Sequence, residues 1–138
     1  LQYVEGKGVS QDFTKAVSWF NKAAALGHPR AQYELGVMYL SGEGVAKENA
    51  LALKWFTKAA VQGEPNAQNN LALLYAKGTG VTADPVLAYA WFNVAVANGD
   101  KVNAVKNRGI LEKMMNPAQI TEANKLSTNW RLGYSIKR

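Results

Sequence analysis

A chain of 138 residues with 48% hydrophobic residues, four Trp, six Tyr and four Phe has the size of one ordinary domain and too many aromatics to be disordered. It contains no Cys, which excludes disulfide frameworks, thiolate zinc sites and cysteine nucleophiles, and no apolar run reaches the ~18–20 residues of a membrane span. The net charge of +6 sits in the last quarter: residues 1–100 balance eight basic against eight acidic side chains, whereas residues 101–138 set eight basic residues against Glu112 and Glu122 alone.

From the N-terminus the chain repeats with a period of 36 residues, marked by Tyr3, Tyr39 and Tyr75 and by Trp19, Trp55 and Trp91, each Trp followed by Phe. Residues 1–4 read as the last turn of a first helix, so the chain opens inside a unit; either a longer parent was cut or residues upstream are missing, and the uncapped apolar end is a candidate for self-association. Gly6-Lys7-Gly8-Val9 then reads as a turn. A second helix is expected from about Asp12, carrying Ala16, Trp19, Phe20 and Ala23 and stopping at Gly27 as its C′ residue.

The next unit is complete. Residues 30–40 predict a helix with Ala31, Leu35 and Tyr39 on one stripe. Gly36 interrupts it at a helix cost of about 1 kcal/mol relative to Ala, a sign that a neighbouring helix comes close. Gly42-Glu43-Gly44-Val45 reverses the chain, and a second helix beginning near Glu48 carries Ala52, Trp55, Phe56, Ala59 and Ala60 before stopping at Gly63 and Pro65. The third unit repeats this with Ala72 in place of Gly36, a Gly78-Thr79-Gly80-Val81 turn, Asp84 as cap with Pro85 behind it, Ala88, Trp91, Phe92 and Ala95, and Gly99.

The fourth unit breaks the pattern. One residue is inserted at 101–103, so Ala104 follows Ala67 by 37. The helix predicted over 103–115 keeps Ala104 and Gly109, Gly109 in the place of Gly36, but puts Arg108 where Leu35 sits and Glu112 where Tyr39 sits, as suits a terminal unit facing water. No Gly-x-Gly-Val turn follows. Asn116-Pro117-Ala118-Gln119 instead predicts a capped helix turning Ile120, Ala123, Leu126 and Trp130 towards the stack.

The pattern Ala-x-x-x-Leu-Gly-x-x-Tyr-x-x-Gly-x-Gly-Val, an acidic residue, then Ala-x-x-Trp-Phe-x-Lys-Ala-Ala-x-x-Gly resembles the Sel1-like repeat, a relative of the tetratricopeptide repeat found in bacterial proteins. The resemblance implies an all-α fold: a right-handed superhelical solenoid of antiparallel helix pairs, closed here by a C-terminal capping helix. One domain over residues 1–138 is expected, with partial repeats at 3–30 and 104–115, full repeats at 31–66 and 67–103, a capping helix at about 117–132 and a tail at 133–138. It also implies a protein-protein interaction scaffold. An exported location, periplasmic or secreted, is favoured over the cytoplasm.

The residues themselves offer little chemistry. His28, the sole histidine, lies between Gly27 and Pro29 at a turn, where a surface role is expected. One His without Cys cannot build a transition-metal site, and no calcium-loop spacing of acidic residues exists. The glycine turns lack the strand before and the Lys-Ser/Thr after that a phosphate loop needs. Most acids have structural readings as helix starts and turn residues, and the Trp-Phe pairs, repeated at one place in every unit, read as packing. No enzyme activity, cofactor or metal is expected.

In the family geometry first helices line the concave face, so their residues outside the packing signature are the candidate partner-binding strip: Arg30, Tyr33, Val37 and Leu40, then Asn66, Asn69 and Leu73 with Ala76, then Asn103, Lys106 and Ile110. Asn70 and Asn107 lie beside it. The expected partner is a protein or peptide, held by apolar contact and by amides that can bond an extended backbone. A clamp for a peptide's C-terminal carboxylate fits poorly, since Tyr33 and Val37 stand where polar groups are needed. The alternative is electrostatic binding of nucleic acid or an anionic surface by the basic C-terminal region, with Arg131, Lys137 and Arg138; no base-stacking aromatics are interleaved there, so nucleic acid is not the favoured partner.

Overall fold

The computed structural model describes residues 6–137, with side chains described from residue 14 onward. Seven helices and no strand are found among them: α1 (Gly6–Ala25), α2 (Pro29–Ser41), α3 (Asn49–Val61), α4 (Pro65–Lys77), α5 (Pro85–Ala97), α6 (Asn103–Glu112) and α7 (Pro117–Thr128). Each first helix (α2, α4, α6) packs on the second helix before it, and α2 and α4 pack also on the one after. Tyr3 and the expected apolar end at residues 1–4 lie outside the described residues, as does Arg138.

Local chemistry sets the helix boundaries. Proline opens α2, α4, α5 and α7 at a position whose N–H has no helical partner. The Leu87 N–H donates to Asp84 Oδ1 at 3.1 Å. Asn116 and Gln119 form a reciprocal capping box with bonds of 2.8 and 2.9 Å. Glu48 occupies the N-cap of α3 without a side-chain cap bond, so it acts only through its charge at the helix dipole. The Gly42 N–H returns to Met38 O at 2.8 Å with φ 79°, and the Glu48 N–H to Tyr39 O at 2.9 Å. Gly78 and Asp84 repeat these two bonds onto Leu74 and Tyr75, so each glycine loop is pinned to the first helix it leaves.

The first unit differs. The turn expected at Gly6–Val9 and the helix start expected at Asp12 are replaced by one continuous helix from Gly6.

Phe56 and Phe92 are buried completely, and the predicted close approach is real: a Cβ on Gly36 would stand 2.6 Å from two ring atoms of Phe56. Gly109, expected to do the same, does not, because a Cβ there meets nothing within 4 Å. The reason lies in α7. Ala123 is buried, and Ile120, Leu126 and Trp130 pack on the core as expected, but the helix they belong to lies on α5. Beyond Thr128, short of the expected end at 132, the chain turns back: Leu132 comes to Gly63, the Gly133 N–H bonds Val61 O, and Ile136 is buried.

The outer stripe of the second helices records this cover. In α1 it is Thr14, Ser18 and Lys22 and in α3 Ala50, Lys54 and Lys58, all exposed, whereas in α5 it is Val86, Ala90 and Val94, all buried. The tryptophan column follows suit: Trp19 is 63% exposed, Trp55 is flanked by the ammonium groups of Lys54 and Lys58 at 5.3 and 5.5 Å, and Trp91 is 1% exposed.

A second repeated feature joins the units. Gln32 Nε2 donates to Ala24 O at 3.1 Å and Gln68 Nε2 to Ala60 O at 2.9 Å, both across to the preceding second helix. Their carbonyl oxygens accept from the following second helix, Gln62 at 2.7 Å and Asn98 at 3.1 Å. Each buried amide therefore ties three helices. In the fourth unit Lys101 Nζ takes over the bond to the corresponding carbonyl, Val96 O, at 3.0 Å, and Val105 occupies the glutamine position.

Two pairs of variants test this packing by denaturant unfolding. Gly36→Ala should lose stability, because about 1–3 kcal/mol of overpacking against Phe56 outweighs the ~1 kcal/mol helix gain, while Gly109→Ala should gain up to about 1 kcal/mol. Val94→Lys, which buries an ammonium under α7, should cost at least about 3 kcal/mol. The reverse change Lys58→Val, on the uncovered stripe, should cost no more than about 1 kcal/mol.

Candidate functional site

The strip expected on the first helices divides into parts of different character. At the start of α2, the Arg30 guanidinium lies 5.0 Å over the Tyr33 ring and 3.4 Å from Glu34. Tyr33 in turn packs at 6.0 Å and 45° against Phe56, so the core orients the ring that orients the arginine. Val37 and Leu40 are half-buried against the core. Arg30 also borders a separate cleft between α1 and α2, so it does not join the residues further along the strip.

Leu40, Asn70 and Leu73 do come together. With Lys47, Asn49, Leu74, Lys77 and Thr79 they line a cavity of about 290 Å³ where α2 and α4 meet the two glycine loops. Its apolar floor and two lysines suit an apolar side chain next to an acidic group. Asn49 Oδ1 is buried without a hydrogen-bond partner among the described residues. Sequence reasoning missed Lys47, Asn49, Lys77 and Thr79, because loop and helix-end residues reach this place only through the folding back of the loops, and no spacing in the chain announces that.

Asn69, expected to face a partner, is only 7% exposed, and its Oδ1 accepts from Asn107 Nδ2 at 3.1 Å, joining α4 to α6. Its amide holds the scaffold. Asn66 is half-buried, with its backbone N–H on Glu64 Oε1 at 3.2 Å. Asn103, Lys106 and Ile110 are exposed on α6.

Tyr75 has its pKa raised by burial and by the nearby Asp84 carboxylate. Tyr89 is raised by burial and by Glu112, whose carboxylate it bonds, with Arg108 opposing. Both phenols are thereby favoured in their neutral form. His28 is exposed. Among the described residues no group of three or more His, Cys, Asp or Glu is placed to hold a metal, and no helix is long and apolar enough to cross a membrane. Of the C-terminal cations, Arg108 donates to Asn93 at 2.9 Å and Lys101 is held by Val96 O, whereas Lys125, Arg131 and Lys137 line one cavity of about 290 Å³ in which Trp130 and Tyr134, aromatics not expected among these cations, also stand.

Comparison with known proteins follows the same lines. No curated protein matches the chain. Among solved structures it is similar to a protective antigen present in uropathogenic Escherichia coli strains and displaying an SLR fold, with 42% identity, a TM-score of 0.84, and 88% of this chain covered. It is also similar to a Sel1 repeat protein from Oxalobacter formigenes, with 33% identity, a TM-score of 0.67 and 70% of this chain covered. The chain spans 26% and 40% of the lengths of these two proteins. The Sel1 repeat family model matches residues 3–28, 29–64 and 65–100. With three repeats in one register and an all-helical solenoid behind them, the chain belongs to the Sel1 repeat family.

Proposed function

We propose that the chain holds a peptide or protein partner on the face lined by α2, α4 and α6, with the cavity between Leu40, Asn70 and Leu73 as the anchoring point. Sel1 repeat proteins are generally protein-interaction scaffolds. The observation that carries the assignment is this cavity, where Leu40 and Leu73 of the strip converge with Asn70 beside them. An apolar side chain of the partner enters against Leu40 and Leu73. Its backbone bonds the Asn70 amide, and an acidic neighbour pairs with Lys47 or Lys77. Arg30 on Tyr33 supplies a second contact at the start of α2. Arg and Tyr are among the residue types that dominate interface energies.

The electrostatic alternative is not favoured by the family. Selection of binding peptides from a random display library on the 138-residue chain tests the assignment. Selected peptides should pair an apolar with an acidic residue, and Leu73→Arg with Asn70→Ala should weaken them at least about tenfold, whereas Lys137→Ala should not. Binding that survives the cavity variants, or that falls away steeply with salt and with Lys137→Ala, would contradict it.

A further inference from the structure

The second helices stop at glycines in register, but the residue before the glycine differs from unit to unit. Leu26 precedes Gly27, Gln62 precedes Gly63, and Asn98 precedes Gly99, the only Asn-Gly pair in the chain. In that pair the asparagine amide is open to attack by the next backbone nitrogen, because glycine sets no side chain in the way. Gln62 carries one more methylene and would have to close a larger, slower ring. Asn98, the C-cap of α5, is also the residue whose Nδ2 donates to Gln68 Oε1 at 3.1 Å. The reactive amide is therefore one half of the joint that ties α5 to α4 and, through Gln68 Nε2 on Ala60 O, to α3.

We propose that Asn98 is a site of spontaneous deamidation, and that the change undoes the amide joint of the third unit. The Gly99 nitrogen attacks Asn98 Cγ and forms the N–Cγ bond of a cyclic imide. The Cγ–Nδ2 bond breaks, and Nδ2 leaves as ammonia with the proton that Gly99 gives up. Water then opens the ring at one carbonyl or the other, giving aspartate or isoaspartate. Asn98 is exposed, so water reaches it.

Neither product can replace the amide. A carboxylate has no N–H to give Gln68 Oε1. Turning the Gln68 amide over would offer its nitrogen to the carboxylate, but would set its oxygen against Ala60 O, which it now serves at 2.9 Å. Either way two acceptors face each other at a side chain that is fully buried. The new charge also stands at the C-terminus of α5, where the helix dipole disfavours it. Isoaspartate adds a methylene to the backbone itself. It displaces the Gly99 and Asp100 N–H groups from Val96 O and Ala95 O, now 3.2 and 2.9 Å away. With them moves the Asp100 carboxylate, which accepts from the Asn103 N–H at the start of α6 at 2.9 Å.

The same bonds set the rate. While Gly99 N–H is on Val96 O and Asn98 Nδ2 on Gln68, neither reacting group is free. The reaction passes through a local opening of the last turn of α5, so the joint protects the amide that makes it.

Ageing the folded 138-residue chain at mildly alkaline pH, followed by peptide mapping with mass spectrometry, tests this. Circular dichroism confirms that each variant starts folded. Asn98 should be converted before any other asparagine, to both aspartate and isoaspartate. Gln68→Leu should hasten the conversion at least about fivefold, the shift that one lost hydrogen bond gives an opening equilibrium. Asn98→Gln, the residue at this place in the preceding unit, should stop the reaction and keep the wild-type urea midpoint. The aged wild type and Asn98→Asp should both unfold at lower urea, whereas Asn98→Gln aged alike should not. Conversion of another asparagine first, a rate indifferent to Gln68→Leu, or a converted chain as stable as the fresh one would each overturn the proposal.

Discussion

The stack depends on a buried amide repeated in the two complete units. Gln32 and Gln68 each donate to the last carbonyls of the preceding second helix and accept from the end of the following one. Apolar contact between Ala-rich helices is non-directional and would tolerate sliding by a turn. A buried amide with both ends paired tolerates none, because any shift orphans the side chain and a helix-end carbonyl at once, at about 1–3 kcal/mol each. The close approach of Gly36 to Phe56 works alongside it. The glycine sets how near the helices come, and the glutamine sets which turn meets which.

The C-terminus changes what this scaffold presents. In α5 the outer stripe is Val86, Ala90 and Val94, and α7 with the returning tail covers it, taking Trp91 out of water. α1 carries Thr14, Ser18 and Lys22 on the same stripe and α3 carries Lys54 and Lys58 beside the small Ala50, and neither is covered. By lying on the second helices, α7 leaves the first-helix side of the molecule open, where Leu40, Asn70 and Leu73 line their cavity. The same displacement leaves α6 without a second helix packed on it in the manner of α3 on α2.

Most of the fold was legible in the chain because its determinants are local: the Trp-Phe pairs, the glycine loops of the two complete units and Asp84-Pro85 sit where the period puts them, and the Asn116–Gln119 box marks its own helix. What escaped depends on which element meets which. The identity of Gly109 with Gly36 does not show that its facing helix has left, and the likeness of Gly6-Lys7-Gly8-Val9 to the later turns does not show that it runs on as helix. The strip on the first helices was read from register alone, so burial of Asn69 by Asn107 and the arrival of Lys47 and Lys77 at the cavity were invisible. Two further signals lie in the sequence. Gln32 and Gln68 are spaced by the repeat, and the outer stripe turns from Lys54 and Lys58 to Ala90 and Val94 where a cover is needed.

The central claim is that the glutamine amide couples one helix to the next, and a double-mutant cycle on Gln68 and Asn98 tests it most directly. Gln68→Leu, Asn98→Leu and the double variant would be compared by urea unfolding. The structure predicts an interaction energy of about 0.5–3 kcal/mol, the double variant losing less than the sum of the singles, because each single change orphans the other's amide. Losses that add to within about 0.3–0.5 kcal/mol would show that the two residues do not act as a pair and that apolar packing alone sets the register.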